Sequence, residues 1–140
     1  MKKYYFIVLT LVLVACNAVK KPMESRQKYD LLVSGDYGGG AFRFYELITE
    51  ENEFKMLLSD DIIKKYIRKD DIKDNNFILI NLGEKAKEGY TIKIKKVVES
   101  KDKITLTISE VEPKSATIET PTKPYFVLKV KSKKSIEILE

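Results

Sequence analysis

The chain has one thiol and no imidazole: Cys16 is its single cysteine, and histidine is absent. That composition removes Ser-His-Asp and Cys-His arrangements, histidine metal ligands and the commonest general base near neutral pH. A serine activated by a lysine is compatible with the residues present, but no serine is singled out by its neighbours. The carboxylates gather at Asp60-Asp61 and at Asp70-Asp71 with Asp74. Calcium takes several oxygen ligands, yet this spacing is not that of an EF-hand loop, and helix capping beside a solvated link accounts for it. Gly38-Gly39-Gly40 offers backbone that an anion can approach, but the lysine-serine ending of a phosphate-binding loop is missing. The run reads as a flexible turn. The expectation is a protein without catalytic residues, metal or cofactor.

Chemistry at Cys16 is of another kind, and its neighbours say which. Lys2 and Lys3 precede an apolar stretch, Tyr4 to Val14, broken only by Thr10. A basic start, an apolar run and small residues at a cut are the order of a secretory signal. The run is too short for a bilayer-spanning helix, which needs about 20 apolar residues. Leu13-Val14-Ala15-Cys16 resembles the lipobox of bacterial lipoproteins. The resemblance implies that residues 1–15 are a signal peptide and that the Cys16 thiol carries a diacylglyceryl group. The protein is then exported and anchored in a membrane of the cell envelope by its lipid. Asn17 follows, with no aspartate there to suggest inner-membrane retention, and the choice of membrane stays open. The mature chain has no other cysteine, so no disulfide, thiol nucleophile or cysteine metal site is expected, and the fold rests on its core.

Hydrophobic residues make up 44% of the chain, enough for a core, and Lys and Arg total 26 against 21 Asp and Glu. Without Lys2 and Lys3 the excess falls to about +3, a mild imbalance spread along the sequence. No basic stripe alternates with aromatics, so nucleic acid is not an expected partner. Lys93, Lys95 and Lys96 read as the solvated face of a strand.

These groups are positioned by a chain whose periodicity changes along its length. Residues 16–29 are polar, basic and without apolar period, a tether between lipid and domain. Residues 30–140 suit one globular domain. Asp30 to Ser34 and Ala41 to Ile48 read as strands, with Phe42, Phe44 and Glu46 on one side of the second and Arg43, Tyr45 and Leu47 on the other. Thr49 reads as the N-cap of a helix with Glu50, Glu51 and Glu53 in its first turn and Phe54, Leu57 and Leu58 on its apolar face. A second helical segment is expected near Asp61 to Arg68, with Ile62, Ile63, Tyr66 and Ile67 together, followed by a polar link from Asp70 to Asn76. Phe77-Ile78-Leu79-Ile80-Asn81-Leu82 is an apolar run interrupted only by Asn81, as a central strand covered on both faces should be. Ile92, Ile94 and Val97 or Val98 alternate with lysines. After a turn at Ser100 to Lys103, Ile104, Leu106 and Ile108 alternate with Thr105, Thr107 and Ser109. Tyr125 to Lys131 and Ser135 to Leu139 complete the strands. The expected class is α+β: a mainly antiparallel sheet or sandwich-like domain with one or two helices inserted after the first strands.

The loops of the β half carry a more specific pattern. Leu82-Gly83-Glu84 ends one strand, Gly89-Tyr90 opens the next, Pro113 follows the hairpin, and Pro124-Tyr125 begins another apolar strand. In this order residues 77–131 resemble the PrcB C-terminal domain, named for a subunit of a bacterial surface protease complex. Glu88 stands where that family often has glycine, and the segment after Pro113 lacks the glycines often found there. Read structurally, Gly89 permits a restricted backbone shape, Tyr90 packs at the edge of the core, and Pro124 fixes entry into an edge strand. Read functionally, Gly89, Tyr90, Pro124 and Tyr125 form a partner-binding edge, because tyrosine is a favoured interface anchor. For that, Tyr90 and Tyr125 should stand near one another.

The resemblance implies a non-catalytic envelope lipoprotein that binds or stabilises another surface protein, a protease being the partner class, as an accessory subunit. Two alternatives stand beside it. The glycine-tyrosine, proline-bounded and proline-aromatic loops loosely resemble those of the chagasin family of protease inhibitors, whose immunoglobulin-like sandwich has three loops at one end. A small-ligand-binding lipoprotein would instead need a deep apolar pocket with several polar groups.

Overall fold

The computed structural model describes residues 27–115 and 120–140. Cys16, the signal segment and most of the tether lie outside the described residues. The fold is organised around β3 (Asn76–Leu82), whose burial is nearly unbroken. It lies inside a four-stranded sheet in the order β1-β6-β3-β2, with β1 at Tyr29–Gly35, β2 at Arg43–Ile48 and β6 at Tyr125–Val130. All three pairings in this sheet are antiparallel. A second sheet has the order β4-β5-β7, formed by Thr91–Glu99, Lys103–Val111 and Ser135–Leu139. Here β4 and β5 make an antiparallel hairpin, while β7 joins β5 in parallel after the chain crosses from one sheet to the other.

Because side chains of a strand point alternately to its two faces, β3 serves two cores. Phe77 packs with Val33, Ile48, Val127 and Tyr125 beneath the helical layer, where Phe54, Leu57, Ile63, Ile67 and Ile72 complete the cluster. The Phe54 and Phe77 rings meet at 4.8 Å between centroids. Ile78, Ile80 and Leu82 face the other way, into a cluster with Ile104, Leu106, Ile108, Phe126 and Leu128 between the two sheets. The result is an α+β sandwich of helix layer, four-stranded sheet and three-stranded sheet.

The hairpin follows its alternation. Ile104, Leu106 and Ile108 are buried, Ile92 and Ile94 pack against them, and Lys93 and Lys95 are exposed. A bulge between Ile94 and Lys96 shifts the register, so that Val97 opposes Leu106 and faces the core while Val98 is 44% exposed. One extra residue reverses the parity of everything after it.

The helical region differs from the sequence expectation in three ways. Helix α1 spans Glu51–Ser59 with Glu50, not Thr49, at its N-cap. The Glu53 carboxylate accepts the Thr49 and Glu50 amides at 2.9 and 3.2 Å, the returning half of a capping box whose N-cap is Glu50. The second helix is only a 3-10 turn at Ile63–Lys65. Asp60 Oδ1 accepts the amides of Ile62 and Ile63 at 2.8 and 2.9 Å, a side-chain competitor that ends α1 and starts a separate turn. Ile63 and Ile67 are buried, whereas Ile62 and Tyr66, without a continuous helix to carry them inward, are exposed. Finally, the expected polar link contains a one-turn helix α2, Asp71–Asp74, which buries Ile72.

Pro124 does not lead into an edge strand. It is buried and precedes β6, which lies between β1 and β3. The missing amide costs no ladder bond because the pairing with β1 and β3 begins at Tyr125, and the Pro124 carbonyl still accepts Leu82 N at 3.0 Å.

Candidate functional site

The strand order brings three connections to one end of the sandwich: residues 36–42 between β1 and β2, 83–90 between β3 and β4, and, between β5 and β6, the described residues 112–115 and 120–124. The chain enters the fold at the opposite end, where Lys28 reaches Glu99 at 2.8 Å. The loops are bonded to one another. The amide of Lys85 donates to the Thr122 carbonyl at 2.9 Å and the amide of Thr122 donates back at 2.8 Å. Thr122 is 1% exposed, and its hydroxyl donates to the Lys87 carbonyl at 3.0 Å. Gly89 N donates to Asp36 Oδ1 at 3.1 Å, the Tyr37 hydroxyl donates to Glu88, and Lys123 N donates to the Asp36 carbonyl at 2.9 Å. The bond to Glu88, followed by burial and the charges of Glu88 and Asp36, raises the Tyr37 pKa.

The glycine run is not a loose turn. Gly39 N donates to the Lys123 carbonyl at 3.0 Å, and Gly40 N to the buried Asn81 side chain at 2.6 Å. A Cβ on Gly39 would lie 2.5 Å from that carbonyl and 2.6 Å from Asn81 Oδ1, so only glycine admits this approach. Gly89 has φ +90° and faces Pro113, 3.2 Å from where its Cβ would be, which agrees with its structural reading.

Of the four residues singled out in the sequence, the structure brings the loops together but not the rings. Tyr90 is half-buried and packs against the inter-sheet cluster, with Lys85 Nζ 5.1 Å from its ring centroid. Tyr125 is 8% exposed and belongs to the cluster beneath the helices, on the opposite face of the four-stranded sheet. Burial and then the nearby Asp60 charge raise its pKa. Its ring lies against Gly35 and Gly38. The backbone at Gly89 and the edge of Tyr90 are therefore accessible at the three-loop end, while Pro124 and Tyr125 are buried beneath it.

Several groups at this end carry little sequence signal. Tyr37, Gly38, Glu84, Pro121, Thr122 and Lys123 line an open groove of about 400 Å³. Beside it Phe42 is 83% exposed and Tyr37 55%. Their only signal is that they flank a glycine run bounded by two strands. Glu110 continues the inward parity of Ile104, Leu106 and Ile108, and there it accepts Lys85 at 2.7 Å and Arg43. Arg43 also donates to Glu140 at 2.9 Å, and the Tyr45 hydroxyl donates to the same oxygen at 2.6 Å. A charged network thus closes the inter-sheet core beneath the loops. Outside it, Lys87 pairs with Glu112 at 2.7 Å and holds its carboxyl below the usual range.

The carboxylate clusters are engaged in the fold. Asp60 caps the 3-10 turn, Asp70 pairs with Lys73, and Asp71 accepts Arg68 N at 3.0 Å and reaches Lys129 at 3.1 Å. Among the described residues no group of three or more potential ligands is placed to hold a metal ion.

Residues 76–131 match the family model described as PrcB C-terminal. The match runs from the first residue of β3 to one residue past β6, and so contains the two larger of the three loops. No curated protein and no solved structure matches the chain.

Proposed function

We propose that this chain is a non-catalytic lipoprotein of the bacterial envelope, anchored through Cys16, whose three-loop end binds another surface protein as an accessory subunit. A protease is the partner class favoured by the match to the PrcB C-terminal family. The observation that carries the reading is the mutual bonding of the three loops. A surface held by Lys85–Thr122, Gly89–Asp36 and Gly39–Lys123 bonds meets a partner with little conformational entropy left to lose. On it stand Tyr37, Phe42 and the rim of Tyr90, the aromatic type enriched in interface cores, with Glu84 and Lys123 as polar neighbours.

Affinity purification of the tagged protein from its native envelope tests this, with a Tyr37→Ala/Lys123→Glu variant in parallel. Wild type should carry a partner that the variant loses while its unfolding midpoint stays the same. Equal recovery of the same protein by both would remove the loops from the interface.

Three loops at one end of a sandwich also suit a protease inhibitor. Direct assay against papain-type cysteine proteases separates the readings, since an accessory subunit leaves them active. The open groove, with Glu84, Thr122 and Lys123 in its lining, gives less support to a small-ligand carrier, which buries most of its ligand.

A further inference from the structure

The outer face of the second sheet holds the charge that looks dispersed in the sequence. Strand parity turns Lys93, Lys96 and Val98 of β4 outward, beside Lys103, Thr105, Thr107 and Ser109 of β5 and Glu137 and Leu139 of β7. The bulge exposes Lys95 as well. Four lysines therefore face one glutamate, and Glu137 is occupied by Lys103 at 2.9 Å and by the Thr105 hydroxyl at 3.1 Å. Some lysines elsewhere meet carboxylates, as Lys28 meets Glu99 and Lys131 meets Asp30, whereas others, such as Lys65, Lys69 and Lys123, stand apart on separate segments. Lys93, Lys95 and Lys96 make no ion pair among the described residues.

Lysines on an edge strand also prevent unwanted pairing. That role does not require a face emptied of free carboxylates across three strands. The other acids of the hairpin strands are turned away from it: Glu99 toward Lys28 and Lys134, Glu110 toward Arg43 and Lys85. Val98 and Leu139, 44% and 47% exposed, add apolar contact among the lysines. The face also begins where the chain enters the fold, since Lys28 is bonded to the last residue of β4.

We propose that this face, centred on Lys93, Lys95 and Lys96, lies against the anionic surface of the membrane. The position of the face rests on the lipoprotein reading only for its nearness to the bilayer. A lipid chain and a basic patch together give firmer attachment than either alone. In this pose the sandwich lies on its side, with the three-loop end directed along the membrane toward a neighbouring envelope protein.

The test uses the full mature chain purified from its native membranes, with phosphatidylcholine vesicles and with vesicles rich in phosphatidylglycerol. Lysines are acylated with a water-soluble reagent and quantified by mass spectrometry, and vesicle flotation is recorded in parallel. Lys93, Lys95 and Lys96 should react about threefold or more slowly in the anionic vesicles, with Lys123 unchanged, and high salt should abolish the difference. Flotation with both vesicles and equal reactivity in both would overturn the proposal while leaving the lipid anchor intact. Flotation and protection confined to anionic vesicles would support the face and count against the anchor. Flotation with neither would overturn both, and protection by soluble polyphosphate alone would assign the face to a soluble polyanion instead.

Discussion

Lys85 and Thr122 exchange two backbone hydrogen bonds, at 2.9 and 2.8 Å, and so join the β3–β4 connection to the β5–β6 connection outside any strand. The two loops behave as one surface because of this pair, and the third is fastened to them through Asp36, Gly39 and Glu88.

Thr122→Val tests the side-chain bond that braces this pair. The substitution keeps the shape of a buried side chain and removes the donor to the Lys87 carbonyl. A cost of about 1–3 kcal/mol in urea unfolding is expected from an unsatisfied buried group. Hydrogen exchange should accelerate at the Lys85 and Gly89 amides before it does in β3. Unchanged protection of those two amides would mean that the Thr122 hydroxyl bond does not brace the loops.

Tyr125→Ala and Tyr90→Ala should differ in kind. Tyr125 is buried against Gly35 beneath the helical layer, and its loss should cost about 3–5 kcal/mol. Half-buried Tyr90, with Lys85 over its ring, should cost about 1–2 kcal/mol and weaken partner capture at temperatures where the fold is intact. Equal destabilisation by the two would contradict the placement of Tyr125 in the core and Tyr90 at its rim.

Glu99 gathers Lys134 at 2.7 Å and Lys28 at 2.8 Å, and these bonds lower its carboxyl pKa to about 2. A folded-state value below the unfolded one means the contribution is complete above the ordinary glutamate pKa. It fades as pH falls through that value toward about 2. An NMR titration of the Glu99 carboxyl should give a midpoint near 2 in wild type and a higher one in Lys134→Ala. A wild-type midpoint in the ordinary range would remove this tie between β4 and the β6–β7 connection.

Cys16→Ser should leave the protein without lipid and either unprocessed or mislocalised, because the chain has no second thiol. Metabolic labelling with a fatty-acid analogue reads this directly, and label retained by the variant would refute lipidation at Cys16.

The architecture was legible where one period ran without interruption. Ile104, Leu106 and Ile108 declared the β5 core face, and the apolar run of Phe77 to Leu82, interrupted only by Asn81, declared a strand covered on both sides. Interruptions were not legible. Nothing local announced the bulge that chose Val97 over Val98, and the capping expected at Asp60-Asp61 did not say that the turn it starts would stop at Lys65. For the site, Gly89 could be read as a residue of restricted backbone shape, but the meeting of its loop with the approach to Pro124 depended on a shared strand sense that the local pattern does not give. The separation of Tyr90 from Tyr125 could not, because parity within a strand does not say which face of a two-faced sheet it meets. Glu110 was in principle visible as a charged residue in the inward parity of an apolar strand.

The most direct test of the account is site-specific photocross-linking in the native envelope, with the photoreactive residue placed at Phe42 in the three-loop end or at Lys101 in the far turn. The account predicts a discrete cross-linked partner from position 42, absent from position 101 and lost when Tyr37→Ala/Lys123→Glu is added. The same protein cross-linked equally from both positions, or from position 101 alone, would contradict it.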